Sequence, residues 1–298
     1  MNTPAETADG IVLASYGRGA LVLAGDEQFH CSLTGRKLRL VCGDRIGWRQ
    51  MPSANGPAVV SVAPRRNVIE RIDARGRAEA VAANIGRLAI VVAPEPQPDW
   101  YLIDRYWAAA RQQDIETLLI PNKRDLGLDA LQAELEVYRG LGLPCLEIAA
   151  HSGAGIDELA RALAGGATLL VGQSGVGKSS IVNALAPEAA AQTAALTRDD
   201  EGRHTTTTAR WYRPAQDAAI VDAPGVRDFA PPAHLMRAAE RGFVEIHAIG
   251  VGCRFNDCRH FDEPGCCVQT AVAAGKISAR RYESYRRLAR LYEDLAPP

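Results

Sequence analysis

Residues 172–179 read Gly-Gln-Ser-Gly-Val-Gly-Lys-Ser, a complete G-x-x-x-x-G-K-[ST] pattern between an apolar run at 168–171 and a helix-forming run at 178–185. A strand, a glycine-rich loop and a helix must join there, and that order fixes an α/β unit around the loop. Its glycines let backbone N–H groups curl around phosphate oxygens, so Gly172, Gln173, Ser174, Gly175, Val176 and Gly177 are expected to line a nucleotide's phosphates, with Ser180 just behind. The Lys178 ammonium can reach the β- and γ-phosphates, the Ser179 hydroxyl can hold Mg²⁺, and the helix N-terminus adds partial positive charge. By itself the loop leaves the base open.

Val221-Asp222-Ala223-Pro224-Gly225 supplies a second part. Asp222 ends an apolar strand and is suited to hold Mg²⁺ through water, and the Gly225 N–H can meet a γ-phosphate. Asn122-Lys123-Arg124-Asp125 follows an apolar run at 117–121 and resembles the base-recognition motif of GTPases. The Asp125 carboxylate can accept from guanine N1–H and its exocyclic amine, a pairing adenine cannot offer. Asn122 is expected to tie the segment to the phosphate loop, and the Lys123 stem to cover the base. Ala149-Ala150 resembles the segment whose backbone meets guanine O6, with Ala149 where a serine is usual. Base-reading residues 122–150 precede phosphate residues 172–225, the reverse of a conventional GTPase. A cyclic shift leaves such a sheet unchanged in space and moves the chain ends. The γ-phosphate segments then lead directly into whatever follows, which suggests coupling to the C-terminal region.

Upstream, residues 11–80 alternate short β-rich runs with turn residues, at 11–13, 20–23, 38–41 and 58–62. This spacing predicts an all-β barrel of about five strands, of which an OB-fold is one kind. After Ala82 apolar strands alternate with helical patterns: strands at 88–92, 117–121, 145–149, 168–171, 209–212 and 218–221, and helices at 102–112, 129–139, 156–163 and 178–185. A last helix is expected at 278–295. Four of seven cysteines crowd into residues 253–267 beside His260. Cys253, Cys258, His260 and Cys266 make a Cys₃His set suited to one structural Zn²⁺, with no position left open for catalysis; Cys267 could substitute for Cys266.

A hydrophobic share of 47% and a charged share of 23% suit a soluble globular protein, and no apolar run approaches the ~20 residues of a membrane span. Residues 1–10 lack a basic stretch followed by an apolar core, so a cytoplasmic monomer without membrane contact is expected. The net charge of −1 gives no global attraction to nucleic acid. Local patches do: Arg36, Lys37, Arg39, Arg45, Arg49, Arg65, Arg66, Arg71, Arg75 and Arg77 in the first module, and Lys276, Arg280, Arg281, Arg286, Arg287 and Arg290 with Tyr282 and Tyr285 in the last helix. Either patch can equally be a solvated face.

Taken with Val41-Cys42-Gly43-Asp44, Ala82-Ala83-Asn84, Leu102-Ile103-Asp104-Arg105-Tyr106, Gly202-Arg203-His204-Thr205-Thr206-Thr207 and the Cys/His cluster, these motifs make the chain similar to the ribosome small-subunit-dependent GTPase A family of circularly permuted bacterial GTPases. The resemblance runs from about Arg39 to Glu293. It implies an OB-fold RNA-binding domain over 1–82, a permuted α/β P-loop GTPase domain over 83–230 and a helical zinc-binding domain over 231–298. It further implies GTP and GDP as ligands, with Mg²⁺, and a partner in the small ribosomal subunit and its rRNA. The activity implied is subunit-stimulated GTP hydrolysis coupled to release late in maturation.

Val226 stands where Ras-like GTPases place a water-orienting glutamine and cannot orient water. His204 is the candidate for that task, with a solvated, uninvolved imidazole as the alternative; Thr206 or Thr207 is expected to complete the Mg²⁺ shell. An RNA-binding clamp switched by GTP or GDP with negligible turnover is the competing function. A permuted GTPase of the large subunit is a further one.

Overall fold

The computed structural model describes residues 7–34, 38–51, 56–72, 78–187, 209–215, 218–223, 229–230 and 239–295. Contacts divide the chain into two compact units, the first made of 1–87, 156–171 and 179–230, the second of 88–155, 172–178 and 231–298.

The first unit opens with β1 (Ala8–Tyr16), β2 (Gly19–Ala24), β3 (Glu27–Leu33), β4 (Arg45–Gln50) and β5 (Pro57–Val62), closed as a barrel in the order β1-β2-β3-β5-β4. This is the five-stranded barrel that the turn spacing predicts. Antiparallel ladders run throughout except between β3 and β5, which pair in parallel through Ser32 and Ala58. Val12, Ala20, Val22, Cys31, Leu40, Ile46 and Val59 fill the interior, and closure leaves no open edge for a foreign strand.

One expected strand is absent. Residues 38–41 form no ladder because the Asp44 carboxylate captures the Val41 N–H at 2.8 Å and takes two bonds from Arg65 at 2.7 and 2.8 Å. A local side-chain bond has outcompeted strand pairing, and the chain turns there. Gly43 completes the turn at φ +88°, and a Cβ on it would lie 2.1 Å from the Ala83 carbonyl oxygen.

The sequence pattern also missed a small sheet, β13-β6-β7, built from β6 (Val68–Ile72), β7 (Ala78–Ala83) and the two-residue β13 (Phe229–Ala230). The remaining strands of this unit are β10 (Gly166–Val171), β11 (Arg210–Ala215) and β12 (Ala218–Asp222). β12 lies parallel to β10 and antiparallel to β11. Helix α3 (Ile156–Leu163) buries Leu159 and Leu163, and α4 (Lys178–Leu185) begins at the phosphate-loop lysine.

In the second unit β8 (Arg87–Val92) neighbours β9 (Glu116–Pro121), and α1 (Trp100–Arg111) and α2 (Asp129–Gly140) accompany them. β8 shows a run of five buried residues, the pattern of a strand covered on both faces. The strand expected at 145–149 is reduced to isolated bridges, Cys145 to Leu119 and Ala149 to Ala154. Its backbone still bonds to β9 from Leu146 to Leu119 and from Ile148 to Pro121. Pro121 has no N–H to return, so the ladder cannot continue past it.

The unit ends with α5 (Val244–Gly250), α6 (Cys267–Ala273) and α7 (Ala279–Leu295), and α7 packs on α1. Among the described residues no helix is long and apolar enough to cross a membrane.

Candidate functional site

The phosphate loop leaves β10 at Gly172, whose φ is +141° and where a Cβ would lie 2.3 Å from the Val91 carbonyl oxygen. No other residue type fits this approach of two backbones. Lys178 curls back over the loop, its Nζ donating to the carbonyls of Gly172 at 2.8 Å and Gln173 at 2.7 Å. The Gln173 side chain also bonds outward, its Oε1 accepting from the Asp99 N–H at 2.8 Å and its Nε2 donating to the Gln97 carbonyl at 3.2 Å. Ser174 and Gly175 are exposed at the loop's tip, Gly177 is half-buried, and Ser179 and Ser180 are exposed in the first turn of α4.

Asn122 leaves β9 almost fully buried and acts as a staple. Its Nδ2 donates to the Val176 carbonyl at 2.9 Å, its Oδ1 accepts from the Ala150 N–H at 3.0 Å, and its own N–H reaches the Val92 carbonyl at 2.8 Å. Asn122 thus bonds the 122–125 segment to the 172–179 loop, and Val176 is buried beside it. Lys123 sits in the left-handed region at φ +60°, with Nζ donating to the Glu95 carbonyl at 2.8 Å. Asp125 lies in a single 3₁₀ turn, Arg124–Leu126. Together with Ala149, Arg124, Leu128, Gln132 and Ser152 it lines an open concavity of about 540 Å³. A carboxylate at its wall can take two donors of a flat heterocycle, which is the chemistry guanine offers.

Asp222 ends β12 in register with Leu170 of β10 and is half-buried, with Ala223 buried behind it. His204, Thr206, Thr207 and Gly225, the other expected nucleotide-site residues, lie outside the described residues.

Cys253, Cys258, His260 and Cys266 converge, their ligand atoms all within 4.8 Å of one another. Sulfurs bound to one tetrahedral Zn²⁺ at ~2.3 Å must be about 3.8 Å apart, and a sulfur and an imidazole nitrogen about 3.5 Å. Cys253 Sγ lies 3.9 Å from Cys266 Sγ, and His260 Nδ1 lies 3.5 and 3.4 Å from those two sulfurs. The four residues therefore fit the ion.

Glu240 Oε2 lies 3.3 Å from His260 Nε2, the kind of second partner that orients a ligating imidazole, and Nδ1 faces the sulfurs. Gly250 leaves the ring its room, because a Cβ there would meet His260 Nε2 at 2.9 Å. Burial pushes the Cys258 thiol up to about 12, the hydrogen bond from the His260 backbone opposes this, and the neighbouring sulfurs raise it further. Burial opposes ionisation of Cys253 too, but backbone N–H groups of Cys267 and Val268 donate to its sulfur and carry it below the ordinary thiol value. A divalent cation bound there would supply the charge that lets neighbouring thiolates lie side by side. Cys267 is not among the four converging residues; its thiol donates to the Gly252 carbonyl at 2.9 Å.

The last helix corrects one expectation. Arg280 and Arg281 do not form a basic patch for RNA, because both point inward. Asp104, fully buried on α1, accepts from Arg281 at 2.5 Å, from Arg280 at 2.6 Å and from the Tyr138 hydroxyl at 2.6 Å. Arg281 also bonds Glu245, and Arg280 bonds Glu134. The Arg281 guanidinium stacks over Trp107 and Phe243, which explains how a charged group only 1% exposed is tolerated. Arg286 lies over Phe261 and Tyr282, whereas Lys276, Arg287 and Arg290 remain exposed. In the first unit Arg65 is likewise committed to Asp44 and Arg71 to Glu79, while Arg39, Arg45 and Arg66 remain exposed. Arg36, Lys37, Arg75 and Arg77 lie outside the described residues. Motif reading named Asp104 only as part of a resemblance and missed Glu240 and Glu134, since nothing local marks a carboxylate whose partner is far along the chain.

Residues 62–231 match the family model described as RsgA GTPase. Over 294 residues the chain is 42% identical to the small ribosomal subunit biogenesis GTPase RsgA of Azotobacter vinelandii, covering 94% of this chain and 84% of that protein. The protein of the same name from Ectopseudomonas mendocina is also 42% identical, over 96% and 86% of the two chains. Among solved structures, YjeQ from Thermotoga maritima superposes with a TM-score of 0.72 at 28% identity, covering 97% of this chain and 99% of that one. YloQ, described as a circularly permuted GTPase, gives 0.71 at 21% identity over 98% and 97%, a likeness of fold.

Proposed function

This chain belongs to the RsgA GTPase family, and from that premise we propose that it hydrolyses GTP on the small ribosomal subunit, assisting late maturation and leaving after hydrolysis. The observation that carries the reading is Asn122, which bonds to both Val176 and Ala150 and so ties the phosphate loop to the base-reading segments.

In this reading Asp125 selects guanine and the Lys123 stem covers the base, with the backbone at Ala149-Ala150 meeting O6. Residues Gly172 to Ser180 cradle the phosphates, and Lys178 neutralises charge that develops on the β–γ bridge. Ser179, Thr206 or Thr207 and, through water, Asp222 would hold Mg²⁺, which would offset phosphate charge. Gly225 meets the γ-phosphate. With Val226 unable to orient water, His204 takes that task on the subunit.

Cys253, Cys258, His260 and Cys266 hold one structural Zn²⁺. Residues 1–82 form an RNA-binding OB-fold module, 83–230 the GTPase domain and 231–298 the zinc domain of a cytoplasmic monomer. Arg39, Arg45, Arg66, Lys276, Arg287 and Arg290 supply phosphate contacts to rRNA.

GTP turnover measured with and without purified small and large ribosomal subunits tests the proposal. Stimulation by the small subunit alone is expected, abolished by His204→Ala. Undiminished stimulation in that variant removes His204 from the mechanism. Nucleotide-dependent co-sedimentation with no turnover leaves the switched clamp in its place.

A further inference from the structure

The segment joining β8 to α1 contributes no nucleotide contact to the reading above, yet it holds the site from behind. Glu95 takes the Lys123 ammonium on its carbonyl, and Gln97 and Asp99 take the Gln173 side chain at 3.2 and 2.8 Å. A Cβ on Gly175 would lie 3.5 Å from Pro96, so the phosphate loop rests against this segment. Asp99 is also the N-cap of α1, its Oδ1 accepting from the Leu102 N–H at 3.1 Å.

One turn and a half further along, α1 presents Asp104 to Arg280 and Arg281 of α7. From α7 the Tyr282 hydroxyl bonds the His260 carbonyl, and the Tyr285 hydroxyl bonds the Arg259 carbonyl at 2.8 Å. The hydrogen-bonded groups thus run from the phosphate loop to the Cys/His cluster, carried by helices α1 and α7.

Gln173 is where a change in the loop enters that run. Its carbonyl accepts from Lys178 Nζ at 2.7 Å while its side chain anchors the N-terminus of α1. A lysine drawn toward phosphate oxygens weakens its bond to that carbonyl, and the residue relaxes at the end that holds Asp99.

We propose that Gln173 is a positioning residue that passes phosphate-loop occupancy to α1 and, through Asp104, to α7 and the Cys/His cluster. This rests on the GTPase reading. It sends the signal through the N-cap of α1, whereas the order of motifs along the chain suggested a path through the residues after Asp222.

The test is hydrogen exchange of the full chain with zinc, free and saturated with GDP or a non-hydrolysable GTP analogue. Saturation is set for each protein by its own titration with a fluorescent guanine nucleotide. In the wild type, nucleotide is expected to change exchange of the amides at 100–104 and 279–287 about fivefold or more, the low end of ordinary coupling between sites. Gln173→Ala, a substitution at a half-buried loop position, should reduce the change at 279–287 below about twofold. Gln173→Glu still accepts from the Asp99 N–H and should retain most of it.

A Gln173→Ala protein with the wild-type response overturns the proposal, as does a wild type that binds nucleotide without any response in 279–287. A Gln173→Glu protein as unresponsive as the alanine variant overturns the assignment to Asp99. Failure of the wild type to bind guanine nucleotide at all instead removes the GTPase reading.

Discussion

Asp104→Ala should be among the most destabilising single changes in the second unit. The carboxylate has no solvent exposure and takes hydrogen bonds from two guanidinium groups and a phenol, at 2.5 to 2.6 Å. Each bond to a charged group contributes about 1.5–3 kcal/mol, but the three share one acceptor and do not add independently. The upper bound is set by what remains. Arg281, 1% exposed, keeps Glu245 as its one carboxylate partner among the described residues, and breaking a buried pair in this way costs about 3–5 kcal/mol.

Asp104→Asn keeps the volume and an acceptor and should lose about half of that. Urea unfolding at fixed zinc and nucleotide concentrations measures both, because ligands of the native state shift the midpoint themselves. Glu147→Ala is the control: its pair with Arg139 is more than one-third exposed on both sides and should change stability by less than about 1 kcal/mol. An Asp104→Ala midpoint shift no larger than that of Glu147→Ala refutes the claim that this network fastens α7 to α1.

Gly172→Ala should abolish guanine-nucleotide binding while leaving the fold cooperative, because its Cβ must displace either the loop or Val91; calorimetric titration that finds unchanged affinity contradicts this. Cys258→Ser should lower bound zinc from one equivalent toward zero, measured by atomic emission on unchelated protein, whereas Cys267→Ser should leave it at one. Glu263 gives a pH signature. Burial raises its carboxyl, but backbone N–H groups of Arg259, Phe261 and their neighbours outweigh this and hold it below the ordinary value. A depressed folded value means the stabilisation is fully present above the unfolded carboxylate range, about 4.3, and is lost as pH falls through the folded value. The stability difference between wild type and Glu263→Gln should therefore shrink as pH is lowered from 5 toward ~3; a difference that stays constant over that span is inconsistent with the two N–H contacts.

Much of this molecule was legible before any coordinates, and the reason is locality. The loop 172–179, the run 122–125 and the spacing of Cys253, Cys258, His260 and Cys266 are short, and each carries its chemistry within a few residues. Strands β8, β9, β10 and β12 and helices α1 to α4 were likewise announced by apolar runs and helical periodicity. Where expectation failed, the cause was a partner beyond the local window. Residues 38–41 look like a strand until Arg65, 21 positions beyond Asp44, joins the carboxylate that turns them. Residues 145–149 look like another until Pro121 in the neighbouring strand fails to donate.

Arg280 and Arg281 show the limit most clearly. On the chain they are part of a basic helix indistinguishable from a solvated face or an RNA contact. Their partners Glu134 and Asp104 stand 146 to 177 residues away, and only the packing of α7 on α1 brings them together. The sequence by itself determined which ligands its motifs suit, because the Gly172–Ser179 loop, the Asn122–Asp125 run and the Cys/His spacing are each local. The tertiary structure decided which charges remain for a partner and how α7 is fastened to α1, because burial and ion pairing depend on distances that residue order does not contain.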